Sequence, residues 1–187
     1  MKNKLQFGEV LSNAFKIGLK NFLPLLGAGI LWILTIWIPY LNVGTTIAMS
    51  TLPLALKEGK MISPLEIFDA KYRKYMGEFF LLISLRGAGI SMAALFFVIP
   101  GIVISIAWSM AVLLLFDKNE NIIESLKKSN EMTYGQKWTI FFVNLVLVLP
   151  LLIPFLNFIY AFILIPVFIA AKAYIYSVLS DDKAIET

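Results

Sequence analysis

The chain has 187 residues, 59% of them hydrophobic and 15% charged, with a formal net charge of +4 and a mean hydropathy of +0.83. An ordinary soluble domain holds about 45–50% apolar residues and still shows much of its surface to water, so this excess calls for an apolar solvent and excludes a plain water-soluble globule. Cysteine and histidine are both absent, which excludes disulfide and thiolate chemistry and removes the commonest general base and metal ligand; no cofactor and no metal is expected.

The chain opens on an amphipathic stretch. Phe7, Leu11, Phe15, Leu19 and Phe22 recur at helical spacing while Glu9, Asn13, Lys16 and Lys20 lie elsewhere on the wheel, a pattern that predicts an interfacial helix. Residues 1–21 are too long and too amphipathic for the charged start of a signal peptide and are read as retained. Phe22 to Tyr40 is uncharged over 19 residues, about the length that crosses a hydrocarbon core of roughly 30 Å. Leu41 to Leu56 is uncharged too, but it is short and carries Thr45, Thr46, Ser50, Thr51 and Pro53. It is read as a second span, with a re-entrant segment as the alternative.

Ser63-Pro64-Leu65-Glu66 has the form of a capping box with proline at the first helical position, and Leu65, Phe68, Tyr72, Tyr75 and Phe79 then fall on one face of a second amphipathic helix. From Phe79 to Phe116 the only charge is Arg86, and Pro100-Gly101 lies near the middle, which predicts a helical hairpin. A third amphipathic helix starts at Asn121 as N-cap, with Ile122, Leu126, Ser129 and Thr133 on its weaker apolar face and Glu124, Lys127, Lys128 and Glu131 on its polar side. Trp138 to Ser180 repeats the hairpin, with a break around Pro150 to Asn157 and one internal charge, Lys172.

The expected fold is an all-α polytopic membrane protein of six transmembrane helices, arranged as three helical hairpins, each preceded by a cytoplasmic amphipathic interfacial helix. It forms one integral membrane domain, residues 1–187, with an approximate threefold repeat over 1–60, 61–118 and 119–180. Gly27-Ala28-Gly29-Ile30 recurs as Gly87-Ala88-Gly89-Ile90, and Pro39-Tyr40-Leu41-Asn42 as Pro154-Phe155-Leu156-Asn157. Lys, Arg, Asp and Glu cluster in the three amphipathic segments and the tail, and none falls in the turns near Pro39, Pro100 or Pro154. The positive-inside rule therefore places both termini and the three amphipathic helices in the cytoplasm. Basic residues set between apolar blocks point to anionic lipid headgroups as partners rather than to nucleic acid.

Two charges lie inside apolar blocks. An arginine at mid-helix costs about 2.5–3.5 kcal/mol on insertion scales, so Arg86 either marks a pathway or snorkels to the headgroups. Seven residues past Phe79, about 10 Å at 1.5 Å per residue, is within reach of a long side chain, and snorkelling is favoured. Lys172, two turns from the end of the last block, is read the same way. Lys71, Arg73, Lys74, Lys127 and Lys128 are the candidate lipid contacts on the amphipathic helices, flanking apolar faces that carry Phe68 and Leu126. Gly27, Gly29, Gly87 and Gly89 are read as packing contacts, and Trp138 as an interfacial anchor. No apolar block holds a carboxylate that could act as a base.

The most distinctive run is Pro100-Gly101-Ile102, Ala107-Trp108-Ser109-Met110-Ala111, Asp117, Glu124-Ser125-Leu126-Lys127-Lys128-Ser129 and Gly135-Gln136-Lys137-Trp138. It resembles the YciC-like bacterial membrane proteins and the related membrane domain of glycerophosphodiester phosphodiesterases. That resemblance implies a bacterial inner-membrane protein. It does not imply phosphodiesterase activity, which in the fused relatives belongs to a separate soluble domain using histidines and carboxylates. The function expected is a non-enzymatic module of the bacterial envelope that organises or anchors lipids, or a cytoplasmic or membrane protein partner. A small transporter or channel is the alternative.

Overall fold

The computed structural model describes residues 4–60, 62–153 and 156–180, with side chains from 160 onward in the last group. All regular structure among the described residues is helical: α1 (Phe7–Lys20), α2 (Phe22–Thr35), α3 (Pro39–Lys57), α4 (Met76–Phe96), α5 (Val98–Ala107), α6 (Ala111–Asp117), α7 (Ile122–Thr133), α8 (Lys137–Val148) and α9 (Leu156–Leu179). Short 3-10 segments cover Pro64–Phe68, Ala70–Tyr75 and Leu149–Leu152. Three helical stretches are long and apolar enough to cross a bilayer, Ala70–Phe96, Val98–Asp117 and Tyr160–Leu179. The pairs α1–α2, bent by 79°, and α7 with the chain to Leu152, bent by 91°, raise the number to five if each is one broken span. This is the helical membrane-type architecture the composition demands, with three to five candidate spans where six were expected.

α3 is one continuous helix of 19 residues, but it is not among the stretches long and apolar enough to cross a bilayer, so the second span expected over Leu41 to Leu56 is not one of the candidates. Its hydroxyls are absorbed locally. Thr45 donates to Asn42 O, Ser50 to Thr46 O and Thr51 to Ala48 O, while Thr35 of α2 and Thr45 share a 2.8 Å hydrogen bond. Those pairings let a polar helix sit among apolar neighbours.

α9 is the axis of the packing, with α1, α2 and α3 against it. α1 buries Val10, Ala14, Ile17 and Gly18, and a Cβ at Gly18 would stand 3.0 Å from the Val167 backbone. Glycine is what lets the two helices approach at this point. The face expected at the membrane, Phe7, Phe15 and Leu19, stays exposed. α1 thus uses two faces, and packing takes the one built of smaller residues.

The helix expected from Ser63 to Phe79 is not a single α-helix. Ser63 makes no side-chain cap bond, and the chain breaks at Asp69, whose carboxylate accepts the Lys71 backbone N–H at 2.9 Å. Asp competes with the helix by bonding its own local backbone, and that bond holds the Asp69 carboxyl below its ordinary pKa. In the first 3-10 segment the buried residue is Ile67, in a cluster with Leu25, Leu52 and Leu56, while of the expected apolar face Phe79 is buried and Leu65 is exposed.

The turn of the second hairpin lies at Phe97, in extended conformation with φ −156° and ψ 141°, three residues before Pro100. Pro100 and Gly101 sit at the start of α5, where a missing N–H leaves no helical bond unmade. Gly101 instead serves the hairpin's packing, because a Cβ there would lie 2.8 Å from the Ala94 Cβ of α4. The third amphipathic helix starts as expected: Asn121 Oδ1 accepts the Glu124 N–H at 2.9 Å. Part of the last predicted break, Pro154 and Phe155, and the Asp181 and Lys183 tail lie outside the described residues.

Candidate functional site

The C-terminal ends of α3, α6 and α9 meet at one charged joint. Lys57 Nζ donates to Asp117 Oδ2 at 3.1 Å, the Tyr176 hydroxyl donates to the same oxygen at 2.8 Å, and the Lys57 ammonium lies 4.9 Å from the centre of the Tyr176 ring. Lys118 Nζ stands 3.5 Å from that oxygen. The Lys57 and Asp117 side chains are only 10% and 14% exposed, so the pair is shielded from water. A carboxylate held by a cation and a phenol is spent as a base; its effect is to tie three helix ends together. Sequence reasoning singled out Asp117 but missed Lys57 and Tyr176. A signal existed, since the three lie 60 and 59 residues apart, each near the end of an apolar block.

The other residues of the distinctive run also act as joints. Between α5 and α6 the helix is interrupted at Trp108-Ser109-Met110, which frees backbone groups that need partners. Ser129 of α7 supplies them: its hydroxyl donates to Ala107 O at 2.6 Å and accepts the Met110 N–H at 3.1 Å. Thr133 continues the seam by donating to Ser129 O at 2.9 Å. Gly135, with φ +81°, turns the chain into α8, and Gln136 Oε1 accepts the Leu5 N–H at 3.2 Å. Trp138 is exposed beside Phe141 and Phe142, as a boundary anchor would be.

The candidate lipid-contacting cations are not equivalent. Lys71 is bound to Glu66 at 2.7 Å and stands 3.4 Å from Asp69, so its charge is answered within its own segment. Arg73 lies along α3, its side chain against Gly44 and its guanidinium 5.4 Å from the centre of the Tyr40 ring, directed away from the Lys57 end. Lys128 pairs with Glu120. Lys74 and Lys127 are exposed. With Lys71 and Arg73 engaged in this way, the candidate lipid contacts belong to a mixed charged surface. A cavity of about 420 Å³ opens in it beside Glu58, Lys60, Glu66, Lys71, Tyr72 and Phe116.

Arg86 of α4 and Lys172 of α9 are the two charges set inside apolar stretches. Among the described residues neither makes a salt bridge, and the buried Arg86 Nε has no hydrogen-bond partner. Lys172 does not snorkel toward the charged joint. Its ammonium lies 5.0 Å from the centre of the Phe168 ring, one turn back along α9, whereas the joint is reached by Tyr176, one turn forward. The Cα–Cβ bonds of a helix tilt toward its N-terminus, and the aromatic face rewards the ammonium for following them.

Among the described residues no three Asp or Glu side chains gather where a metal could bind. The fold and these joints define a helical protein of membrane type whose polar groups mainly hold helices together. No protein family, curated protein or solved structure matches the chain.

Proposed function

We propose that the chain is a non-enzymatic, multi-pass protein of the bacterial inner membrane, with both termini cytoplasmic, that organises anionic lipids or a protein partner at its charged pole. The observation that carries this reading is the asymmetry between its two ends. The joint of Lys57, Asp117 and Tyr176, the mixed charges of Glu58, Lys60, Glu66 and Lys71, and the exposed Lys74 lie at or beside one end. The turns at the other end expose Trp37, Leu95, Phe96, Phe97 and Leu152. Charged, partly open surface at one pole and bare apolar turns at the other suit binding on one side only. The resemblance to YciC-like proteins supports the same assignment.

Exchange of the exposed cations tests it. Lys74→Gln with Lys127→Gln should lower the anionic lipid and co-purifying protein retained by the chain in mixed-lipid nanodiscs, read by native mass spectrometry, while the fold is kept. An unchanged set of retained molecules would remove the reason to call this pole functional. The orientation is tested separately, since the chain has no native cysteine: a cysteine at position 121 should be shielded from a membrane-impermeant reagent in intact cells. A small transporter is the second reading, favoured by Arg86 and Lys172 standing within apolar stretches without acidic partners.

A further inference from the structure

A cavity of about 430 Å³, partly open, lies between α2, α3, the end of α8 and α9. Its volume falls in the ordinary range for ligand sites, about 300–1,000 Å³. Apolar side chains of α3, α8 and α9 make most of the wall, and the polar groups set in it are Lys172 of α9, Thr46 and Ser50 of α3 and Trp32 of α2. Their hydrogen bonds leave a definite remainder. The Trp32 indole N–H donates to Thr46 Oγ1 at 2.9 Å, so the Thr46 hydroxyl proton remains to be given to another acceptor. Ser50 spends its proton on Thr46 O. The Lys172 ammonium touches the Phe168 ring and forms no hydrogen bond or salt bridge with the described residues.

What is left over is donors without an acceptor, in a cavity beside the candidate span Tyr160–Leu179. An unneutralised cation in apolar surroundings repels a cationic guest and favours an anion. A free inorganic anion would satisfy the donors but would leave the apolar wall unused. An anion carried on an acyl chain would cover both.

We propose that this cavity binds the phosphate headgroup of an anionic membrane lipid, held by Lys172 and the Thr46 hydroxyl with the lipid chain along the apolar wall. The site is separate from the charged pole and does not depend on it.

The test is native mass spectrometry of the full chain released from nanodiscs of phosphatidylglycerol and phosphatidylcholine, with lipid titrated against each variant. The native chain should retain phosphatidylglycerol in preference to phosphatidylcholine. Lys172→Met should weaken that retention about tenfold, the value of one charge-assisted hydrogen bond, and Lys172→Arg should keep it. Thr46→Val, close in shape, should weaken it several-fold and provides the measurement if Lys172→Met does not fold. Equal retention of the two lipids by the native chain, or of phosphatidylglycerol by the native chain and Thr46→Val, would overturn the site. Displacement of the lipid by inorganic phosphate alone would overturn its assignment to a lipid. Loss in the Lys74 and Lys127 variant but not in Lys172→Met would place all selectivity at the pole, overturning the cavity and leaving the proposed function standing.

Discussion

The same tetrapeptide, Gly-Ala-Gly-Ile, occurs in α2 and in α4, and the two copies behave differently. In α2, Gly27 lies against Pro64, Ala28 is fully buried and Gly29 lies against Ile165 of α9, with a Cβ at either glycine standing 3.1 Å from its neighbour. In α4, Gly87 has nothing within 4 Å of its Cβ position, Ala88 is exposed, and only Gly89 meets a neighbour, the Trp108 ring. The contrast extends to whole helices. The stretches Ala70–Phe96 and Tyr160–Leu179 have nearly equal mean hydropathy, 1.8 and 2.0, yet 11% of the first window is buried and 56% of the second. Apolar content thus chooses the solvent of a helix but not its neighbours. In lipid no hydrophobic force draws helices together, so contact depends on close approach and on polar ties. α9 has both, through Gly18 on α1, its own buried Ala170, Ala171 and Ala173, and Tyr176 in the Asp117 joint.

The polar tie should give the largest effect. Asp117→Ala removes the shielded acceptor that Lys57 and Tyr176 share and should cost about 3 kcal/mol, measured as loss of stability in SDS-mixed-micelle unfolding followed by tryptophan fluorescence. A cost near zero would mean that α9 is held by close packing alone. Gly18→Val should come next, at about 1–3 kcal/mol in the same assay, because its side chain meets Val167 backbone rather than a movable side-chain end. The smallest effect belongs to the other side of the comparison: Gly87→Val should stay within about 0.5 kcal/mol of the native chain. A cost matching that of Gly18→Val would show that α4 has a packing partner after all, and cross-linking through a cysteine at position 87 would test whether it is a second copy of the chain.

Several elements were legible because their causes are local. The Asn121 cap follows from one side chain and a donor three residues on. The separation of charged segments from apolar turns is written in the order of residues. The hairpin turn was misplaced at Pro100-Gly101 for a related reason: both are turn-forming residues, but proline also fits the first turn of a helix, and glycine also serves close packing. The amphipathic reading of α1 named Phe7, Phe15 and Leu19, which the structure leaves exposed, because periodicity marks a face that lipid can cover as readily as one that protein covers.

The sequence by itself determined that the chain is helical, that its apolar stretches are long enough for a bilayer, and that its charges gather in a few segments. These follow from composition and from interactions within a few residues. Tertiary structure alone decided that Lys57, Asp117 and Tyr176 form one joint, that Ser129 closes the break at Trp108, and that Lys172 turns back toward Phe168. Each depends on groups far apart in the chain, brought within reach by helix contacts whose close approach was set by where a neighbour lacked a side chain, and hydropathy carries no record of that.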